Sequence, residues 1–343
     1  MIRLLTPMRL FTLATLIPVA LICAAAILGG IWILASLIYL TALAACLDEV
    51  VHHVTPPTKD SEFPAAMVLS VTLGVVHFGL LALVVSALSN GNTDLPAKIG
   101  LFIAAGFFFG QISNSNAHEL IHRGGRGPHR LGKWVYISLL FGHHTSAHVL
   151  VHHRHVATPL DPSTSRRGES YYKFAVRAWR GSFRKGLAAE TERQQRTGAP
   201  VYRHPYVTYI GGAVGFVVLA WLIGGPVGAA VYVALATFST SQLLLSDYVQ
   251  HYGLMRSQVD GKYEPVNARH SWNSPHWFSS AVMLNAPRHS DHHTHPSRPY
   301  DTLIIPDGSP MLPQSLPVMA CLALAPRRWR KVMDPLAAQC SAR

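Results

Sequence analysis

Only 13% of the 343 residues are charged and only four are cysteine. The charged share is about half the quarter usual for a soluble domain, which argues against a set of soluble domains. The formal charge is +12, but 49% of the chain is hydrophobic, so the positive charge is expected to face a membrane surface and no nucleic-acid partner is expected. Cys23, Cys46, Cys321 and Cys340 form no Cys-x-x-Cys pair. That excludes a disulfide framework, a structural zinc knuckle and a self-contained iron–sulfur or rubredoxin-type centre. Any redox chemistry must therefore import its electrons. Internal repeats, low-complexity tracts and flexible linkers are also missing.

Long apolar runs are what the chain has instead. A membrane helix needs about 20 mostly apolar residues, and six stretches qualify: 9–28, 30–47, 66–89, 97–117, 205–224 and 226–246. Apolar sequence resumes directly after Gly29-Gly30, which reads as a tight helical hairpin and not as a cleaved leader. Gly224-Gly225-Pro226 reads as a second such turn. Residues 118–205 carry 15 Lys and Arg against 5 acids, residues 247–343 carry 10 against 7, and the loop from Ser89 to Pro96 carries none. By the positive-inside rule both basic segments and both termini are expected on the cytoplasmic side. The expected fold is an all-α membrane protein, a single membrane-embedded unit over 1–343. About six transmembrane helices would sit under a cytoplasmic, histidine-rich helical cap made of 118–205 and 247–343. Residues 131–142 are apolar but too short to span and are expected as an interfacial or re-entrant helix.

The chain is rich in histidine, with 20 residues. His118 and His122, in His-Glu-Leu-Ile-His, lie four apart on one helix face at the end of the fourth span. His148, His152 and His153 again show helical spacing and precede Val156-Ala-Thr-Pro-Leu-Asp161-Pro162. His289, His292 and His293 are consistent with one helix face, and His251 stands just past the sixth span. A single histidine is usually a satisfied core or surface residue, but ionisable groups beside a bilayer are costly without partners, and a bound cation is a shared partner for many neutral imidazoles. Nine ligands exceed the four of a tetrahedral zinc site, so two ions are the economical count. Imidazole alone does not choose among iron, zinc, copper and nickel. The other eleven histidines lack this clustering; His143 and His144, beside the second cluster, are the closest to qualifying.

Two rival chemistries fit part of the pattern. His118-Glu119-x-x-His122 matches the zinc metalloprotease motif with Glu119 as general base, but an intramembrane protease needs one further ligand and leaves most of the histidines unexplained. A metal transporter places its site near the bilayer midplane on broken helices, whereas these clusters lie at span ends or in the cap.

Several longer stretches resemble a known family. His118-Glu-Leu-Ile-His-Arg123, His148-x-x-x-His-His-x-x-Val-Ala-Thr-Pro-x-Asp-Pro162, Tyr248-x-x-His-Tyr-Gly-Leu254 and Arg288-His-Ser-Asp-His-His293 are similar to the motifs of the integral-membrane alkane 1-monooxygenases, within the membrane fatty acid desaturase and hydroxylase superfamily. Gly168-Glu169-Ser170, Tyr263-Glu264-Pro265 and Arg269-His-Ser-Trp-Asn-Ser274 also resemble stretches of that family. Motif-level similarity runs from about residue 118 to 303. The resemblance implies that His118, His122, His148, His152, His153, His251, His289, His292 and His293 ligate two non-haem irons. It implies dioxygen as co-substrate, rubredoxin and rubredoxin reductase as electron donors, and a bacterial inner membrane as location. One oxygen atom would enter a terminal C–H bond of a hydrophobic small molecule arriving from membrane lipid. Outer-shell support would come from Glu119, Asp161, Asp247 and Asp291; no catalytic side chain beyond the metal centre is singled out.

The chain departs from the family pattern in two places. Ala147-His148-Val149-Leu150-Val151-His152-His153 has apolar residues where alkane hydroxylases commonly carry Glu-His-Asn-x-Gly-His-His, and Asp247 and Gln250 stand where Asn and Glu are frequent. The ligand set is intact, but the substrate is left open. Desaturation or hydroxylation of a fatty-acyl, other alkyl or methyl-aromatic compound is the alternative within the same superfamily.

Overall fold

The structure is a computed structural model, and it describes residues 6–58, 63–89 and 94–341. Residues 90–93 of the loop free of Lys and Arg lie outside the described residues. Almost all of the regular structure is helical, apart from a short antiparallel hairpin of β1 (Gln258–Val259) and β2 (Lys262–Tyr263).

Among the described residues five helices are long and apolar enough to cross a membrane: α1 (Pro7–Leu28), α2 (Ile31–Val50), α3 (Phe63–Ser89), α4 (Leu95–Ile121) and α8 (Pro205–Gln250). The last has 46 residues and is two arms in one, because Gly224 (φ −138°) and Gly225 (φ +61°) leave helical geometry. The two arms stand in place of the two expected spans. Gly224 also has to be small, since a Cβ there would lie 2.2 Å from Ser89 Oγ at the end of α3. Gly29 and Gly30, at φ +65° and +56°, turn α1 into α2 as expected.

The helix ends differ from the expected bounds for local reasons. Pro7 occupies the first turn of α1, where its missing N–H is no loss. Asp94 caps α4 by accepting the Ala97 N–H at 2.8 Å, which starts the helix before residue 97. A π-helical stretch, Phe108–Ser113, lies within α4 and carries it on to Ile121. The segment expected at 131–142 is α5 (Arg126–Ser138); it begins earlier, and Leu140 at φ +57° follows its end.

Packing fixes these helices around the future site. His77 of α3 bridges Ser113 of α4 at 2.9 Å and Ser138 at the end of α5 at 2.7 Å, so an apolar bundle holds one satisfied polar crosslink. Gly132 of α5 lets its backbone approach Ala117 of α4; a Cβ would be 2.8 Å from the Ala117 carbonyl oxygen. Large apolar side chains such as Ile31, Val214 and Leu222 remain exposed on the spanning arms, the face a bilayer would cover.

Beyond the arms lies a cap: a short helical segment at 144–155, α7 (Tyr171–Thr197), α9 (Trp277–Val282), α10 (His289–Thr294), α11 (Leu316–Ala323) and α12 (Pro326–Ser341). The segment 144–155 is α6, and its middle, His148–His152, is a π-turn. Asp48 at the end of α2 ties the arms to the cap by accepting the Phe278 and Ser279 N–H groups at 2.8 and 3.0 Å.

Candidate metal centre

The motif segments act as mutual latches. Asn273 accepts the Ser290 N–H at 3.0 Å and donates to Ser290 Oγ at 2.7 Å, which pins α10. Trp272 Nε1–H donates to the Tyr252 carbonyl at 2.9 Å, beside His251. Glu169 accepts two hydrogen bonds from Arg177, at 2.8 and 2.7 Å, while its carbonyl accepts the Tyr248 hydroxyl at 2.7 Å. These contacts hold two of the histidine-bearing segments, α10 and the stretch around His251, against the rest of the cap.

All nine of the singled-out histidines meet there, in two groups. One contains His118, His122, His148, His153 and His292, the other His152, His251, His289 and His293; within each group the candidate ligand atoms lie within 4.8 Å of one another. The grouping does not follow the sequence clusters. His148 and His153 go to the first group while their neighbour His152 goes to the second. His289 and His293 pair in the second group while His292 reaches the first, so the third cluster does not present a single face.

The contacts within each group fit a shared cation better than a hydrogen-bond network. His153 Nε2 lies 2.9 Å from His148 Nε2, 3.2 Å from His122 Nε2 and 3.1 Å from His292 Nε2. One ring nitrogen offers one hydrogen or one lone pair, so it cannot bond three others. In the second group His289 Nε2 lies 3.0 Å from His251 Nε2 and 3.1 Å from His293 Nε2, while His152 Nε2 is buried without a partner. Two imidazole nitrogens each about 2.1 Å from one ion and at right angles about it stand about 3.0 Å apart. The donor set fits the metals expected from the sequence.

The electrostatics agree. Burial first, and neighbouring imidazoles second, hold His148, His289 and His292 well below their ordinary pKa, and burial holds His251 down at about 3. These rings are neutral, with lone pairs free for a cation. Burial opposes charge on His152 too, but the Asp161 carboxylate outweighs it through charge and a hydrogen bond, so that ring sits above its ordinary value. Asp161 is correspondingly below the usual carboxylate value despite its burial. Its Oδ2 lies 2.8 Å from His152 Nδ1 and accepts the Thr164 hydroxyl at 2.7 Å, while Oδ1 accepts the Ser163 N–H at 3.0 Å.

The other three carboxylates have different surroundings. Glu119 pairs with Arg123 at 2.7 Å, and Arg123 in turn donates to the Ser297 and Arg298 carbonyls at 3.1 and 3.0 Å. Asp291 accepts from Arg298 on both oxygens, at 2.6 and 2.7 Å, from the Ile304 N–H at 2.9 Å, and meets His295 at 2.9 Å. Both thus lock the loop at 295–304 onto ligand-bearing helices. Asp247 is buried and its Oδ2 has no partner.

An apolar cavity of about 620 Å³ reaches the centre, with His118, His148 and His289 in its wall. Its sides come from α2 (Leu40, Ala44), α4 (Phe107), the second arm of α8 (Phe238, Leu245) and α11 (Leu316, Ala320). His144, set aside in the sequence, lines this cavity and lies 4.9 Å from His148 ring to ring, outside both groups; its spacing four before His148 was the available signal. Gln242 lines the cavity as well and donates to the Gly106 carbonyl at 2.8 Å, and nothing in its local sequence marked it. Other histidines have ordinary partners: His129 meets the Ile121 carbonyl at 2.9 Å, and His204 lies 3.2 Å from Thr191 Oγ1.

Comparison with known proteins gives the same family. The fatty acid desaturase family model matches residues 95–303. The alkane 1-monooxygenase of Ectopseudomonas oleovorans is 37% identical over 263 residues, 74% of this chain and 64% of that relative's length. Alkane 1-monooxygenase 2 of Pseudomonas aeruginosa is 31% identical over 315 residues, 89% of this chain and 83% of the relative. The xylene/toluene monooxygenase hydroxylase component of Pseudomonas putida is 27% identical over 308 residues, 88% of this chain and 81% of the relative. With this metal-ready histidine centre set against apolar helices, the chain belongs to the fatty acid desaturase family and, within it, to the integral-membrane alkane 1-monooxygenases.

Proposed function

We propose that the chain is a membrane non-haem diiron monooxygenase that hydroxylates a terminal carbon of an alkane or related alkyl substrate, using dioxygen and electrons from rubredoxin and its reductase. The observation that carries this reading is the apolar cavity of about 620 Å³ walled at one place by His118, His148 and His289. His118, His122, His148, His153 and His292 would hold one iron, and His152, His251, His289 and His293 the other. Bound there, the irons supply reductive activation of dioxygen, with one oxygen atom going to the C–H bond and the other to water.

The protein's own part is placement and exclusion. Mostly apolar walls from α2, α4, α8 and α11 would keep an alkyl chain arriving from lipid buried against apolar surface. An alkyl chain inserted end-on would bring a terminal carbon to the histidine wall. Asp161 orients His152 through Nδ1 and leaves Nε2 for the metal. With no paired cysteines among the four, electrons come from outside, and the basic cap of the cytoplasmic side suits an acidic donor.

The protease alternative loses its base, because Glu119 is engaged by Arg123 at 2.7 Å. Hydroxylation and desaturation are separated by product analysis. Membranes holding the chain, its donors and a panel of alkanes, fatty acids and alkyl-aromatics under labelled dioxygen should give a labelled terminal alcohol. An unlabelled alkene would move the assignment to a desaturase.

A further inference from the structure

The long cap helix α7 carries a face that the metal centre does not use. Tyr172, Val176, Trp179 and Leu187 are exposed, and half-buried Phe183 lies among them. Their spacing of three and four residues makes one stripe along one side of the helix. Lys173, Arg180 and Arg184, all exposed, form a second row alongside. Residues 171–189 contain no acid, and these three cations pair with none among the described residues. Arg177, in the same row, is engaged by Glu169 at 2.7 Å. An adjoining face, with Phe174, Ala178, Ser182 and Gly186, is buried and carries most of the helix's packing into the cap, with the Trp179 and Phe183 rings at the border beside His143.

The position of α7 says what covers the stripe. Tyr171 donates to the Ser241 carbonyl on the second arm of α8 at 2.7 Å, and Tyr206 at the start of the first arm donates to the Phe183 carbonyl at 2.9 Å. The helix therefore lies across the cap-side parts of both arms, at the level where a bilayer spanned by those arms would meet water. Val207 and Ile210 of the first arm are exposed and carry the apolar surface from the stripe toward the lipid-facing part of the arm. An apolar stripe bearing Trp and Tyr, with a row of cations beside it, is the pattern of a helix lying in a headgroup layer.

We propose that α7 is an interfacial anchor: Tyr172, Val176, Trp179 and Leu187 enter the acyl boundary, and Lys173, Arg180 and Arg184 bind anionic lipid phosphates. The anchor stands next to α6, because a Cβ at Gly186 would lie 3.1 Å from Ala147 Cβ, so lipid contact braces the segment that carries His148 and His152.

The test uses the full chain with its four cysteines replaced by alanine and a nitroxide at Val176→Cys or, as a control, at Glu192→Cys. It is read in nanodiscs of phosphatidylcholine with and without phosphatidylglycerol. Metal content equal to that of the unmodified chain shows that the cap is folded. The label at 176 should be more accessible to oxygen than to a water-soluble nickel chelate, about 5–10 Å below the phosphates, while the label at 192 shows the reverse. Replacing Lys173, Arg180 and Arg184 with Gln should make the label shallower only where phosphatidylglycerol is present. A nickel preference at 176 matching that at 192 overturns the proposal. So does shielding that appears only when an acidic electron-donor protein is added, which would make this a protein-docking face. Turnover is not read, so the result stands apart from the proposed reaction.

Discussion

Asp161 Oδ2 lies 2.8 Å from Nδ1 of His152, and the far nitrogen of the same ring is buried with no partner. A carboxylate on one side of an imidazole fixes its tautomer and strengthens the other nitrogen as a ligand. Asp161→Asn should therefore lower metal retention by roughly 10- to 100-fold, read as metal remaining after dialysis against a chelator. Retention equal to the parent would reduce the pair to a structural contact.

Asp291 differs, although it sits between His289 and His292 in sequence. Its carboxylate holds Arg298 and the Ile304 N–H. Asp291→Asn should loosen the loop at 295–304, seen as faster hydrogen exchange there, with a smaller loss of metal than Asp161→Asn. The reverse order would place Asp291 in the metal's hydrogen-bond shell.

Gly132 tests how helix packing positions His118 and His122. A Cβ at this site would stand 2.8 Å from the Ala117 carbonyl oxygen, and backbone cannot swing aside as a side chain can. Gly132→Ala should cost about 1–3 kcal/mol and lower the unfolding temperature in detergent. An unchanged transition would mean that α4 and α5 have slack between them.

The cavity gives a prediction on substrate length. Ala320 on α11 lines its wall, so Ala320→Phe should shorten or narrow it. Activity on long chains should fall relative to short ones by roughly 10-fold or more, measured as kcat/KM across a chain-length series at unchanged metal content. An even loss at every length would place the substrate elsewhere.

Electron delivery gives a fifth prediction. An acidic donor steered to a basic cap associates more slowly as salt rises. Donor-dependent turnover in neutral detergent should fall with ionic strength, while reduction by a small neutral reductant should not. A flat response would remove electrostatic docking and leave the metal centre untouched.

Much of this arrangement is legible in the sequence because it is local. Apolar runs, glycine turns and histidines at helical spacing depend on neighbours in the chain. The division of the nine histidines was not legible: His292 leaves His289 and His293 for the other group, and His148 and His152 part across a π-turn. Spacing rules for a regular α-helix place such residues on one face, and only packing shows the departure. The cavity wall was equally hidden, since Leu40, Phe238 and Ala320 are ordinary apolar residues until the fold brings them together. Asp291 lies between His289 and His292 in the chain, yet the partner that occupies both its oxygens, Arg298, comes from the loop beyond α10.

The most direct test of the centre is metal content. Chain purified from cells grown with iron should contain about two irons per chain, as expected for nine imidazoles divided five and four. His153→Ala should reduce retention in the first group and His289→Ala in the second. One zinc per chain without iron, together with peptidase activity abolished by Glu119→Gln, would contradict the diiron centre outright.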